Sequence, residues 1–200
     1  AISESDGASD VIAKVFDFNL SSLNWVRSKL DEDQILRAVE VLAQANQIQF
    51  FGFGASGISA MDAQQKFPLF GTPCGAVVDG HQMVITAAML QAGDVMVAIS
   101  NTGTTREILQ SCKLARERSA KVIGLTRSLD TPLAQYCDIP IAVDTLENTD
   151  FYTPTISRIA VMIVIDILST LTSLKLPDSH QDSIREMKRI LSDVRSTGLI

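Results

Sequence analysis

The chain has 200 residues, 46% hydrophobic and 20% charged, which is the balance of one folded domain with a buried core and not of a disordered segment. Its formal net charge is −6, and no Lys/Arg stripe is interleaved with aromatics, which argues against these residues gripping DNA or RNA themselves. Cys74, Cys112 and Cys137 form no CxxC pair, and His81 and His180 lie about a hundred residues apart. Reduced thiols in a cytoplasmic protein are therefore expected, with no metal and no cofactor. Ala1 to Asp10 lack the basic-then-apolar order of a signal peptide. The apolar stretch Ile159 to Leu168 is too short and too polar to span a bilayer, so no membrane contact is expected. Ala1 does not read as a natural start, and the chain is expected to be part of a longer protein.

Ile12, Val15, Phe16, Leu20, Leu23 and Leu30 recur at helical spacing and predict an amphipathic helix over about 10–30. Asp31 followed by Gln34 has the form of a capping box for a second helix, striped by Ile35, Leu36, Val39, Leu42 and Ala43. The pattern then changes. Gln47 to Phe53 reads as a buried strand ending in glycine, and further strands are predicted at 75–78, 94–99, 121–126 and 138–143. Helices are predicted at about 57–70, 81–90, 104–118 and 132–136. Buried strands alternating with helices predict an α/β fold: a three-layer αβα sandwich around a five-stranded parallel sheet, doubly wound, with flavodoxin-like topology. Beyond an acidic stretch, Asp144 to Thr153, Pro154 marks the start of a buried helix over about 155–173. Pro177 breaks that helix, and Ile184, Met187, Ile190, Leu191 and Val194 predict a final amphipathic one.

Two strand-to-helix turns carry the candidate chemistry, because open parallel sheets bind ligands at the carboxyl ends of their strands. In Ser100-Asn101-Thr102-Gly103-Thr104-Thr105, four hydroxyls surround a helix start, and Gly103 permits close approach of the backbone. Thr104 with Glu107 fits a capping box, so Thr104 is the predicted N-cap. With no lysine this is not a Walker loop; hydroxyls and amides suit a phosphate monoester held reversibly. The other turn, Gly52-Phe53-Gly54-Ala55-Ser56-Gly57, formally matches the dinucleotide fingerprint, with Asp79 as the acidic residue further on. That reading leaves the hydroxyl loop without a role and gives Ser56 none either.

The first turn, followed about forty residues later by Ile99 to Glu107, resembles the SIS, or sugar isomerase, domain over roughly Asp31 to Ser173. The resemblance implies dimerisation and a phosphosugar at both loops, with the phosphate on Ser100, Thr102 and Thr105, and Ser56 reaching it or the sugar. Gly54, Asn101 and Gly103 belong to the same implied site. The segment Glu147 to Ala160 resembles the end of RpiR-type, HexR-like transcription regulators, and the leading helix resembles the stretch after their helix-turn-helix domain. Isomerases of this fold carry a positioned glutamate with a lysine or histidine for proton transfer. Here the matching stretch offers Glu147, Asp150 and Arg158 and no clear base paired with a shuttle.

The resemblance thus implies an effector sensor and not an enzyme, the rival being an aldose–ketose sugar-phosphate isomerase. Residues 1–30 would be a leading helix after a DNA-binding domain absent here, and 31–200 the phosphosugar-binding domain. The implied effector is a phosphorylated sugar or sugar acid, 2-keto-3-deoxy-6-phosphogluconate or a hexose phosphate. The implied assembly is a homodimer or tetramer, touching DNA only through the missing domain. Effector binding would order the Ser56 and Ser100–Thr105 loops and shift how subunits meet. Among the remaining residues, Arg158 would reach a ligand anion or pair with Glu147 or Asp150. Asp166 reads as a buried hydrogen-bonding residue, Lys66 as a solvated lysine and His81 as an exposed histidine. Trp25, Phe16 and Phe18 read as packing or dimer surface.

Overall fold

Apolar runs closed by glycine, proline or polar turns build five short strands: β1 (Ile48–Gly52), β2 (Cys74–Val77), β3 (Val95–Ile99), β4 (Lys121–Thr126) and β5 (Ile139–Ala142). The computed structural model describes residues 2–67, 71–147 and 156–196. All strand pairs are parallel, in the order β2-β1-β3-β4-β5. Every residue of the central β3 is buried, which is why Val95–Ile99 is apolar throughout and does not alternate.

Eight helices accompany the sheet among the described residues: α1 (Ala8–Lys29), α2 (Glu32–Ala43), α3 (Gly54–Lys66), α4 (Gly80–Met89), α5 (Arg106–Glu117), α6 (Pro132–Tyr136), α7 (Ile156–Lys175) and α8 (Asp178–Ser196). Side chains of alternate strand residues feed two cores. Phe50, Val97, Ile123 and Ile141 meet α2, α3 and α7 on one face, where the Phe50 and Phe67 rings lie 5.1 Å apart. Phe51, Met96, Ala98 and Val122 meet α4, α5 and α6 on the other. Each fully buried side chain of this size contributes roughly 1.5–3 kcal/mol relative to exposure. Three layers result, as the sequence predicts.

The leading and final helices form as expected but are largely exposed. Only Ser22 and Val26 of α1 are buried, and Ile12, Phe16 and Leu20 are 60%, 66% and 57% exposed. Periodicity correctly predicts an apolar stripe; its part over Ile12, Phe16 and Leu20 is exposed, whereas Leu23 and Leu30 pack against the core. Trp25 is fixed by its indole N–H, which donates to Asp144 at 3.0 Å, and by Lys29 Nζ, 4.7 Å from the ring centroid. α8 has no buried residue at all.

α7 runs for 20 residues with a mean hydropathy of 1.7, so by length and composition it is apolar enough to cross a membrane. Half of that stretch is buried inside the domain, and α7 packs against α2, α3 and α1 as a core helix. Asp166, predicted to be buried, lies at the surface of α7 and pairs with Lys66. Lys66 also holds Asp62 at 2.9 Å and is therefore committed to α3 and α7, not free in solvent.

Candidate functional site: a hydroxyl-lined crevice at two helix starts

Strand order reverses at β1. The crossover from β1 through α3 leads to β2 on one side, and the next crossover leads back to β3 on the other. The crevice that this opens lies at the carboxyl ends of β1 and β3, where both candidate turns emerge.

The first turn is glycine-rich because the helix starts directly on the strand end. A Cβ at Gly52 would collide with the Ser56 carbonyl, and one at Gly57 would lie 3.0 Å from the Gly52 carbonyl oxygen. Gly54, at φ +54°, opens α3 in a conformation that side chains resist. This accounts for the fingerprint-like spacing without a dinucleotide. Asp79 has another task, accepting the Gln82 N–H at 2.9 Å as the cap of α4.

The second turn is held from behind. Ser100 N–H donates to Leu125 O at 3.0 Å, Arg127 N–H to Asn101 O at 3.1 Å, and Leu133 N–H to Gly103 O at 3.0 Å. Gly103 has φ +65°, and a Cβ there would come within 2.5 Å of Thr131 Cβ. Thr131 in turn caps α6 and shares a 3.1 Å hydroxyl contact with Thr126. The loop thus owes its shape to β4 and α6.

Thr104 is not the N-cap. Thr105 holds that position without a side-chain capping bond, because its hydroxyl lies 3.3 Å from Ser100 Oγ across the loop. The Thr104 hydroxyl donates instead to Thr102 Oγ1 at 3.1 Å. Asp31, Asp79 and Thr131 cap α2, α4 and α6 with side chains, whereas α3 starts at Phe53 and α5 at Thr105 with no side-chain cap. The first-turn N–H groups of α3 and α5 are left with no side-chain cap, and both helix dipoles begin at this crevice.

Between these starts lies a cavity of about 190 Å³. Ser56, Ser100, Asn101, Thr102, Thr105 and Arg158 line it together, as predicted. Gly54 and Gly103 shape the turns without lining it. Sequence reading missed Ser59, Ser157, Phe53 and Val161, which also line it. Ser59 had a usable signal: it stands three residues after Ser56, on the same face of α3. Ser157 had none, since only tertiary packing brings α7 here.

Glu147 does not line the cavity, and it does not pair with Arg158. Its two carboxylate oxygens accept the N–H groups of Ile156 and Ser157, at 3.2 and 3.1 Å. Arg158 is half-buried and has no ion pair among the described residues. Asp150, its other predicted partner, lies outside the described residues, as does the helix start predicted at Pro154. His81 is exposed at the start of α4, as expected. Among the described lining residues the chemistry is hydroxyls, amides and one guanidinium. Such a set holds an anion and offers no carboxylate, imidazole or amine to move a proton.

A parallel sheet of this order with a hydroxyl-rich crevice defines a sugar isomerase-type domain, and the SIS domain family matches residues 41–171. The chain is similar to the HTH-type transcriptional regulator HexR of Escherichia coli K12, with 38% identity over 194 residues, 97% of this chain and 67% of that one. It is also similar to the bifunctional protein glk of Burkholderia orbicola, with 37% identity over 198 residues, 98% of this chain and 31% of that one. Among solved structures, the Vibrio vulnificus NanR protein complexed with ManNAc-6P superposes with a TM-score of 0.85 at 22% identity, covering 94% of this chain and 70% of that one. The chain belongs to the SIS family, in its HexR-like, RpiR-type regulator branch and not among its isomerases. It spans about two thirds of the HexR length.

Proposed function

We propose that the chain is the effector-sensing part of a transcription regulator of carbohydrate metabolism and that its ligand is a sugar phosphate. The carrying observation is that two helix starts without side-chain caps, those of α3 and α5, meet at a cavity lined by Ser56, Ser100, Thr102 and Thr105. A phosphate there accepts from first-turn N–H groups and hydroxyls, with the helix dipoles favouring its charge.

Arg158, at the α7 wall of the cavity and with no ion pair among the described residues, suits a second anionic group, and so favours a sugar acid phosphate such as 2-keto-3-deoxy-6-phosphogluconate over a hexose phosphate. Residues 31–200 would form the sensing domain, and DNA would be bound through a helix-turn-helix domain preceding residues 1–30. The exposed stripe of Ile12, Phe16 and Leu20 on α1 supports self-association, as a homodimer or tetramer, in a cytoplasmic protein.

Calorimetric titration with 2-keto-3-deoxy-6-phosphogluconate, glucose 6-phosphate, fructose 6-phosphate and NAD, with solvent deuterium uptake followed at the carbon beside the carbonyl, tests this reading. Binding of a sugar phosphate without deuterium uptake or NAD binding is expected. Steady deuterium uptake would indicate an isomerase and overturn the sensor, and tight NAD binding would overturn the phosphosugar site.

A further inference from the structure

α7 reaches the crevice through its first turn, where Ser157, Arg158 and Val161 line the cavity. That turn begins differently from those of α3 and α5. Among the described residues, its first N–H groups, on Ile156 and Ser157, are both taken by Glu147, one by each carboxylate oxygen. Glu147 stands only five residues past the end of β5, on a stretch anchored to the sheet edge by the Val143 N–H, which donates to Thr126 O at 2.7 Å. A carboxylate at this place is favoured by the helix dipole and satisfies two donors at once. It therefore ties α7 to the end of β4, the strand that also supports the Ser100–Thr105 loop.

We infer that Glu147 is a positioning residue: it does not touch the ligand but holds the first turn of α7 so that Arg158 and Ser157 face the cavity. The inference rests on the phosphosugar reading above and deepens it. It moves Glu147 from the ligand-binding set predicted from sequence to the support behind that set. A carboxylate engaged by two backbone N–H groups is also poorly placed to act as a base toward a sugar, the task a glutamate has in isomerases of this fold.

The test measures the preference of the protein for 2-keto-3-deoxy-6-phosphogluconate over inorganic phosphate, as a ratio of Kd values. Glu147→Ala and Arg158→Ala should each lower that ratio by about tenfold, the scale of one charge-assisted contact, and the double variant should be no lower than Arg158→Ala alone. Glu147→Gln, which keeps one oxygen acceptor, should recover part of the loss. Independently, amide hydrogen exchange at Ile156 and Ser157 should quicken in Glu147→Ala, and less in Glu147→Gln. An unchanged ratio, or losses that add in the double variant, would overturn the positioning role in favour of none or of direct contact. If the unmodified protein binds neither probe, the phosphosugar reading fails, and the Ile156 and Ser157 exchange rates alone decide whether Glu147 holds the helix. Unchanged exchange in both variants overturns that too.

Discussion

The two walls of the crevice are built in different ways. The proposed phosphate wall, Ser100 to Thr105, is a continuous six-residue turn braced by β4 and α6 through three backbone hydrogen bonds and a glycine with no room for a side chain. The α7 wall is brought in from more than fifty residues further along the chain, and its start is held by one carboxylate. A rigid, local wall suits the group common to all candidate ligands, the phosphate. A wall assembled by tertiary packing suits the part that varies between them.

Breaking the phosphate wall should have the largest effect. Gly103→Ala places a Cβ within 2.5 Å of Thr131 at φ +65°. It should cost about 2–4 kcal/mol of stability, read from the denaturant midpoint, and weaken phosphate binding with it. Ser100→Ala and Thr105→Ala should each weaken sugar phosphate binding by about 1–2 kcal/mol in calorimetry, and Ser100→Ala should also cost about 1 kcal/mol of stability, because its buried hydroxyl accepts the Gly103 N–H at 3.2 Å. Thr131→Ala removes the α6 cap and a support of the loop, and should cost about 1 kcal/mol in thermal unfolding.

Lys66 provides the control, because it joins the far end of α3 to α7 and lines no part of the cavity. Burial, the largest influence on its ammonium, disfavours the charge, but hydrogen bonds to Asp166 and Asp62 outweigh it and raise the pKa. A raised pKa means that the contribution to stability is complete below the ordinary lysine pKa and is lost as pH rises through the higher folded value. The pair is partly exposed, so Lys66→Met should change stability by at most about 1 kcal/mol at pH 7 and leave sugar phosphate affinity unaltered.

The same contrast governs what the sequence reveals. The five strands are legible because buried parallel strands must be apolar runs, and the phosphate wall is legible because its residues are contiguous. The N-cap was misplaced from Thr105 to Thr104 because a cross-loop contact, Ser100 to Thr105, overrides the local capping pattern. Asp166 was misread because helix hydropathy averages over faces and does not say which one meets Lys66. The exposure of Phe16 and Phe18 on α1 accords with their reading as packing or dimer surface, but periodicity gives the stripe and not what covers it. Glu147 lies outside the described cavity lining, and its engagement with α7 was not legible, since a bond to residues nine and ten positions on leaves no trace in spacing.

The central claim is that the starts of α3 and α5 hold the phosphate, and amide chemical shifts during a titration with inorganic phosphate test it most directly. The account predicts the largest shifts at Gly54, Ala55 and Ser56 and at Arg106, Glu107 and Ile108, the first-turn N–H groups of the two helices. Shifts confined to Ile156 and Ser157, at the start that Glu147 already caps, would contradict it.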